Sequence, residues 1–407
     1  MGYLDDIYRY IESGETDNEN LGLEIEHFVI NDEGKQIPFD EIVPLIEEVG
    51  KKTGAELIYM DGFAVGYVND RYSISLEPAC QFEISIHPYP DVSEIEKVYL
   101  EFLSLWEPIF QERGYSLVTK GNLPLVECGI ITPDEIPLSP KKRYQYMDAY
   151  FRKTGRYGKY MMRAAASTQV SVDYKSEKDL IRKLMVLQKI APILMIMMES
   201  KTNADSTLQG CPDKPHLFRI QEWDDLDPDR TGFFPKSFDP GFGYEMIADV
   251  VYHTPLILLT DQGVTTDVGH RNAEELVLDH TISESGVDDC RKQKLIEHFL
   301  SMGFFHFRVK KYIEIRVADS VPYKKALGYV ALLKGIVYSE GNLDILEKEL
   351  AEVDEVSKIQ DAVQKIEVEG FRAVIYKNRT AARWREDLIA LARESLPVYE
   401  KGYLSYV

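Results

Sequence analysis

The sequence predicts an α+β fold in which separated β segments build one sheet with an acid-rich polar face. Three observations carry this reading. First, residues 306–319, HFRVKKYIEIRVAD, form two short β runs around a Lys-Lys pair, and in the second run side chains alternate between faces. Ile313, Ile315 and Val317 fall on one face, and Tyr312, Glu314 and Arg316 on the other. Second, three more segments, 21–30, 73–88 and 164–174, repeat this division. Third, their polar faces span residues 24 to 316, which fits one intertwined domain over 1–407 better than separate modules, with 323–407 a mainly helical C-terminal extension.

Composition narrows the function. A chain of 407 residues can bury a large core, and length alone suggests two or three domains. Forty-seven basic against 68 acidic residues leave a net charge of −21, which argues against a nucleic-acid partner without excluding a local anion site. The longest apolar run, Ala191 to Met198, is too short for a bilayer, so no membrane partner is expected. The N-terminal MGYLDDIYRYIESG has no basic stretch followed by an apolar one, and Gly2 lacks the Ser or Thr of a myristoylation motif. Cys80, Cys128, Cys211 and Cys290 are scattered without CxxC spacing, which suits a reducing cytoplasm better than a disulfide framework or a zinc site, and leaves a regulatory disulfide that spacing cannot assign as an alternative.

In chain order, residues 1–20 read as a short helix and a polar loop. LGLEIEHFVI (21–30) reads as a strand with Leu23, Ile25, His27 and Val29 on the core face and Glu24 and Glu26 on the other. Adjacent like charges on one strand face repel, and a cation would relieve them. His27, on the apolar side, reads as a core histidine with its hydrogen bonds satisfied. A helix follows at 39–51, then β runs near 55–60 and 64–68. SISLEPACQFEISIHP (73–88) reads as strand, kink at Pro78, strand, with Glu77 before the proline and Gln81, Glu83 and Ser85 on one face.

Residues 91–113 repeat apolar side chains at helical spacing, and Gly114 closes the helix. A strand near 115–119 leads into a loop through 140. The window 141–163 carries Lys141, Lys142, Arg143, Arg152, Lys153, Arg156, Lys159 and Arg163 against Asp148 alone. It reads either as a phosphate-facing patch on a helix and glycine loop or as a solubilising face. Gly155 and Gly158 do not match a Walker loop, and no GxGxxG opens a helix.

In AAASTQVSVDY (164–174), Ser167, Gln169, Ser171 and Asp173 share the polar face. Residues 176–202 read as a buried helix with Ser176 as N-cap and Met195, Met197 and Met198 as packing. Residues 216–255 begin as an Arg- and Trp-containing loop, with Arg219 and Arg230 flanking acids, and end as a helix. Helices are expected at 271–283, 290–302, 323–338, 342–366 and 380–394, and a strand at 370–376.

Five pieces together resemble one family in its own order: LEIEHF, SISLEPACQFEIS, KRYQYMDAY with TGRYGKYMMRAAASTQVSVD, WDDLDPDRTGFFPKSFDPGFGYE, and VKKYIEIRVAD. They resemble the glutamate–cysteine ligases of plants and many bacteria, over roughly three quarters of the chain. The resemblance implies a curved antiparallel sheet with outer helices, of the glutamine synthetase/guanido kinase-like type. It implies an enzyme of glutathione biosynthesis that uses ATP and two or three Mg²⁺ ions; the cysteine usage points to the cytoplasm, and monomer and homodimer both stay open. Glutamate would be activated as an acyl phosphate and joined to cysteine. By the same resemblance Glu24, Glu26, Glu77, Glu83 and Glu314 are metal ligands, and Glu314 and Arg316 are catalytic. Arg219, Arg230, Gln169 and Ser171 would bind substrate, and Lys310 and Lys311 the nucleotide. Two departures bear on the acceptor: Ser171 stands where many relatives have Asn, and Ala79-Cys80 where they have Gly-Gly. Another amino acid or amine is the alternative acceptor, and a non-catalytic amino-acid-binding scaffold is the alternative from another class.

Overall fold

The computed structural model describes residues 2–202, 211–212, 214–284 and 286–407. Its strands are β1 Leu21–Asn31, β2 Glu56–Met60, β3 Phe63–Val68, β4 Tyr72–Leu76, β5 Phe82–Tyr89, β6 Tyr115–Val118, β7 Ser167–Val172, β8 Thr231–Gly232, β9 Leu258–Asp261, β10 Val264–Asp267, β11 Phe304–Phe305, β12 Phe307–Val309 and β13 Ile313–Asp319. Nine of them form one sheet in the order β12-β13-β7-β1-β5-β4-β3-β2, with β6 paired to the end of β1. Every pairing in this sheet is antiparallel. The four divided segments therefore share one sheet, and their strands β13, β7, β1 and β5 are consecutive neighbours.

Period-2 alternation decides what each face does. Leu23, Ile25, Ile74, Phe82, Ile84, Val170, Val172, Ile313 and Ile315 are buried on the apolar face. Helices Val92–Gln111, Glu177–Met197 and Tyr323–Val337 cover that face. Trp106 packs against Phe82 and Phe110, and its Nε1–H donates to Tyr67 Oη at 3.0 Å. His27 belongs to this core: Nδ1 is 3.0 Å from Phe82 O and Nε2 is 2.7 Å from Tyr99 Oη. Burial pushes its imidazole down to about 4, so it is neutral at pH 7. Ser176 caps its helix by accepting from Asp179 N–H, and Met195, Met197 and Met198 are core side chains.

Local corrections have local causes. The expected helix 342–366 is two helices, Glu340–Glu349 and Val356–Glu369, each with its own start; Ser339 caps the first. The expected strand 370–376 is a pair of 3₁₀ turns, Gly370–Arg372 and Tyr376–Asn378, with a single bridge Val374–Thr380. It has no neighbouring edge to extend. The helix expected at 271–283 is only Ala273–Leu278, opened by an Asn272–Glu275 capping box. The hairpin β9–β10 lies where none was foreseen. The cysteine reading also changes: Cys128 and Cys211, 83 residues apart, form a disulfide, while Cys80 and Cys290 are free. Spacing conceals such a bond because the fold, not the sequence, brings the two segments together. No helix among the described residues is long and apolar enough to cross a membrane.

Closing so long a loop restricts the unfolded chain. Reduction should therefore lower unfolding free energy by about 2–4 kcal/mol. Urea denaturation with and without reductant measures this, and coincident curves would contradict it.

Candidate active site

The sheet's polar face lines a cavity of about 450 Å³. Its floor follows from register. Glu26 on β1 lies directly opposite Glu83 on β5, which lies opposite Ser75 on β4, then Gly66 on β3 and Ile58 on β2. One row thus runs from two acids through a hydroxyl and a bare backbone to an aliphatic side chain. Gly66 is required there, because a Cβ would lie 2.1 Å from Ile74 O of the next strand. Glu24 lines the same cavity opposite Gln169 of β7, and Glu77 joins them from the kink after β4.

These carboxylates are not neutralised locally. Glu83 is pushed well above the usual range by burial and by the charges of Glu24, Glu77 and Glu26. Glu26 is raised to about 7, by burial and then Glu77, although Ser167 N–H donates to it at 2.6 Å. Glu24 is raised by burial and by Glu314.

The other end of the cavity is cationic. Arg308 on β12 faces Glu314 on β13 and grips it with two N–H donors, Nη2 to Oε1 at 3.0 Å. Lys310 Nζ and Arg316 Nη1 lie 3.5 and 3.3 Å from the same oxygen. Burial alone would raise Glu314, but Arg308, Lys310 and Arg316 outweigh it and hold the carboxyl far below its usual range. A register shift in β13 between Ile315 and Ala318 falls at Arg316, whose guanidinium also bonds Gln169 Oε1.

Helix Lys142–Thr154 roofs the acidic part. Lys141 at its start is buried, donates to Leu76 O at 2.5 Å, and is pushed down to about 8 by burial. Arg143 also lines the cavity. Its only polar contact among the described residues is Ser301 Oγ at 3.4 Å, with no carboxylate partner. Trp223 Nε1–H, likewise lining the cavity, is buried without an acceptor among the described residues. Cys80 sits at the kink with φ +65°, in the region where glycine is favoured, and its thiol is buried.

The family model "Glutamate-cysteine ligase family 2 (GCS2)" matches residues 20–401. The chain belongs to this family. Its relatives include the chloroplastic glutamate–cysteine ligase of Brassica juncea, 26% identical over 98% of this chain and 75% of that protein. The Arabidopsis thaliana enzyme of the same name is 26% identical over 99% of this chain and 76% of its own length. Among solved structures, the glutamate–cysteine ligase of Francisella tularensis in complex with AMP superposes with a TM-score of 0.51 at 13% identity, covering 96% of this chain and 81% of that one.

Within this member of glutamate-cysteine ligase family 2, the residues singled out from the sequence separate into three groups. Glu24, Glu26, Glu77, Glu83, Glu314, Gln169, Lys310, Arg316 and Arg219 all line the one cavity. Arg219 is nonetheless engaged: Nε binds Asp319 at 3.0 Å, and Nη2 binds Arg316 O and Ala318 O. It anchors the end of β13 while bordering the site. Ser171 lies opposite Glu314 and Gly22 in the sheet but does not line the cavity. Lys311 points away, with Nζ 4.9 Å from the Tyr10 ring centre. Arg230 is fully buried elsewhere, tied to Asp227 and to Pro255 O at 2.6 Å each. The sequence did not single out Arg308; it marked Arg143 only as one of eight cations in the 141–163 window, and Trp223 only as part of the 216–255 loop. Arg308 could have been found by pairing the 306–319 hairpin about Lys311, which sets it opposite Glu314.

The acidic half holds oxygen donors of the kind that hard divalent cations take. Among the described residues no three His, Cys, Asp or Glu side chains close into a ready cage. Yet Glu24, Glu26, Glu77 and Glu83 offer oxygen donors whose mutual repulsion a hard cation would relieve. Glu314 differs, because three cationic side chains already neutralise it.

Two consequences are measurable. Burial raises Glu26 to about 7 in the folded protein against 4.5 when unfolded, so its contribution to metal-free stability, opposite in sign to that of buried neutral His27, is lost as pH rises between those values. Thermal melts at pH 5 and 7.5 should show this decline, with Mg²⁺ restoring stability more strongly at 7.5. Removing one repelling charge by Glu83→Gln should stabilise the metal-free protein by about 0.5–2 kcal/mol. A destabilised variant would contradict the repulsion.

Proposed function

We propose that the protein is an ATP-dependent ligase that joins the γ-carboxylate of glutamate to the amine of cysteine. The observation that carries this reading is one cavity with repelling carboxylates at its centre and Arg308, Lys310 and Arg316 at one end. Family membership and the ligase activity named for the relatives support it. The AMP bound to the Francisella protein is in keeping with a nucleotide. The same reading takes the sheet as glutamine synthetase-like, which the antiparallel pairing and inward charged face support.

The chemistry follows from charge. A γ-carboxylate oxygen attacks the γ-phosphorus of ATP, the bond to the bridging oxygen breaks, and ADP leaves. The amine nitrogen then attacks the acyl carbon, the C–O bond breaks, and phosphate leaves with that electron pair while the amine gives its proton to solvent. Glu24, Glu26, Glu77 and Glu83 would hold Mg²⁺, which supplies charge neutralisation and a template for the polyphosphate. Arg316 and Lys310 face the phosphoryl oxygens, and Arg308 keeps Glu314 positioned beneath them. Arg143, which has no carboxylate partner among the described residues, and the Trp223 Nε1–H offer charge and a donor to amino-acid carboxylates. Holding the partners on a rigid sheet face supplies orientation.

The assay is phosphate release with ATP, Mg²⁺ and glutamate across a panel of amines. Cysteine should give the highest rate, and product should be γ-glutamylcysteine. Arg316→Gln should lower kcat by about 10²–10³-fold. Preference for a different amine would shift the acceptor, and no turnover with any amine would favour a binding scaffold instead.

A further inference from the structure

We propose that the β2–β3 hairpin reads the acceptor's side chain, through an apolar wall of Ile58, Met60 and Val65 at the end of the cavity farthest from the phosphate-facing cations. This rests on the ligase reading above and specifies its acceptor site.

Apolar side chains such as Met147, Met161 and Phe304 line other parts of the cavity, but at the β2–β3 end the wall is made of aliphatic side chains alone. Ile58 and Met60 line it and are 38% exposed, unusual for large aliphatic side chains in a chain whose sheet buries nearly all its others. Their position is fixed. Met60 and Phe63 pair across the two-residue turn Asp61-Gly62, both with positive φ, the form that suits a tight hairpin. Asp61 Oδ2 accepts Lys142 N–H at 2.9 Å, which ties the hairpin tip to the start of the roof helix. A register shift between Ile58 and Tyr59 turns the strand at this point. Gly66 beside Ile58 adds no side chain, so the floor in front of the wall is flat.

The direction of the reaction selects the occupant. Phosphoryl transfer is in line, so the departing ADP and the attacking glutamate carboxylate lie on opposite sides of the γ-phosphorus. The cations sit on β12 and β13, at one edge of the sheet, and β2 is the opposite edge. With the polyphosphate toward β13, the acyl carbon faces β4, β3 and β2. The amine that attacks it must come from that side. Its side chain then lies against Ile58, Met60 and Val65. An apolar, polarisable wall suits a thiol or short aliphatic group and disfavours a hydroxyl, with discrimination on the order of 10²-fold for such a pocket.

The test compares kcat/KM for cysteine and serine, with KM for ATP and glutamate, in wild type, Ile58→Asn and Met60→Gln. Both side chains are partly exposed, and unchanged ATP and glutamate constants report an intact fold. Each variant should lose about tenfold in kcat/KM for cysteine, lose little for serine, and so narrow the cysteine preference at least fivefold. A raised KM for ATP with cysteine constants unmoved would overturn the proposal, because the wall would then cover the base. Constants that do not move at all would overturn it too. If wild type forms no γ-glutamyl product with any amine, the ligase reading itself fails, and the acceptor wall with it.

Discussion

Everything in this molecule depends on one sheet carrying opposite chemistries on its two faces. The apolar face is continuous with the core, from Ile313 and Ile315 through Val170, Leu23, Ile25 and Ile84 to Ile74. The polar face concentrates charge that would be costly to bury alone. Only the rigidity of the first face permits the second. Glu24, Glu26 and Glu83 repel one another, and strands free to slip would separate them. A slip of one residue would also drive every apolar side chain into the cavity, so core packing locks the charged register.

That constraint explains the division of labour along the sheet. At the β12–β13 edge, Glu314 is surrounded by Arg308, Lys310 and Arg316, and the cluster keeps more positive than negative charge. At the centre Glu24, Glu26, Glu77 and Glu83 have no ion-pair partner among the described residues. Toward β2 the charge ends and aliphatic side chains begin. An anionic nucleotide, a cation-binding centre and an uncharged side-chain site form a sensible order for a reaction that passes a phosphoryl group to one amino acid and then admits another.

Much of this could be read from residues, and the limits are physical. Alternation alone assigned Glu24, Glu26, Glu83, Gln169, Glu314 and Arg316 to polar faces, because a strand's period of two leaves no choice. It also placed His27 in the core. What it could not supply was the register between strands. Opposition of Glu26 to Glu83 depends on which of several separated strands pair and where their turns fall, whereas that of Arg308 to Glu314 needs only the turn of one short hairpin. Arg230 and Lys311 show the converse limit: an Arg beside acids and a Lys beside a polar strand look alike whether they face a cavity, a salt bridge or a tyrosine ring. The disulfide Cys128–Cys211 was hidden for the same reason. Cys80 has a positive φ, a conformation glycine adopts at least cost, which no sequence pattern at 79–80 could reveal.

The central claim is that carboxylates distant in sequence gather divalent cations under the triphosphate. Electron paramagnetic resonance of Mn²⁺, titrated into the protein with a non-hydrolysable ATP analogue, tests it most directly. The account predicts at least two bound ions in the wild-type complex and loss of tight binding when Glu24 and Glu83 are both replaced by Gln. Mn²⁺ bound equally well by that double variant would contradict it.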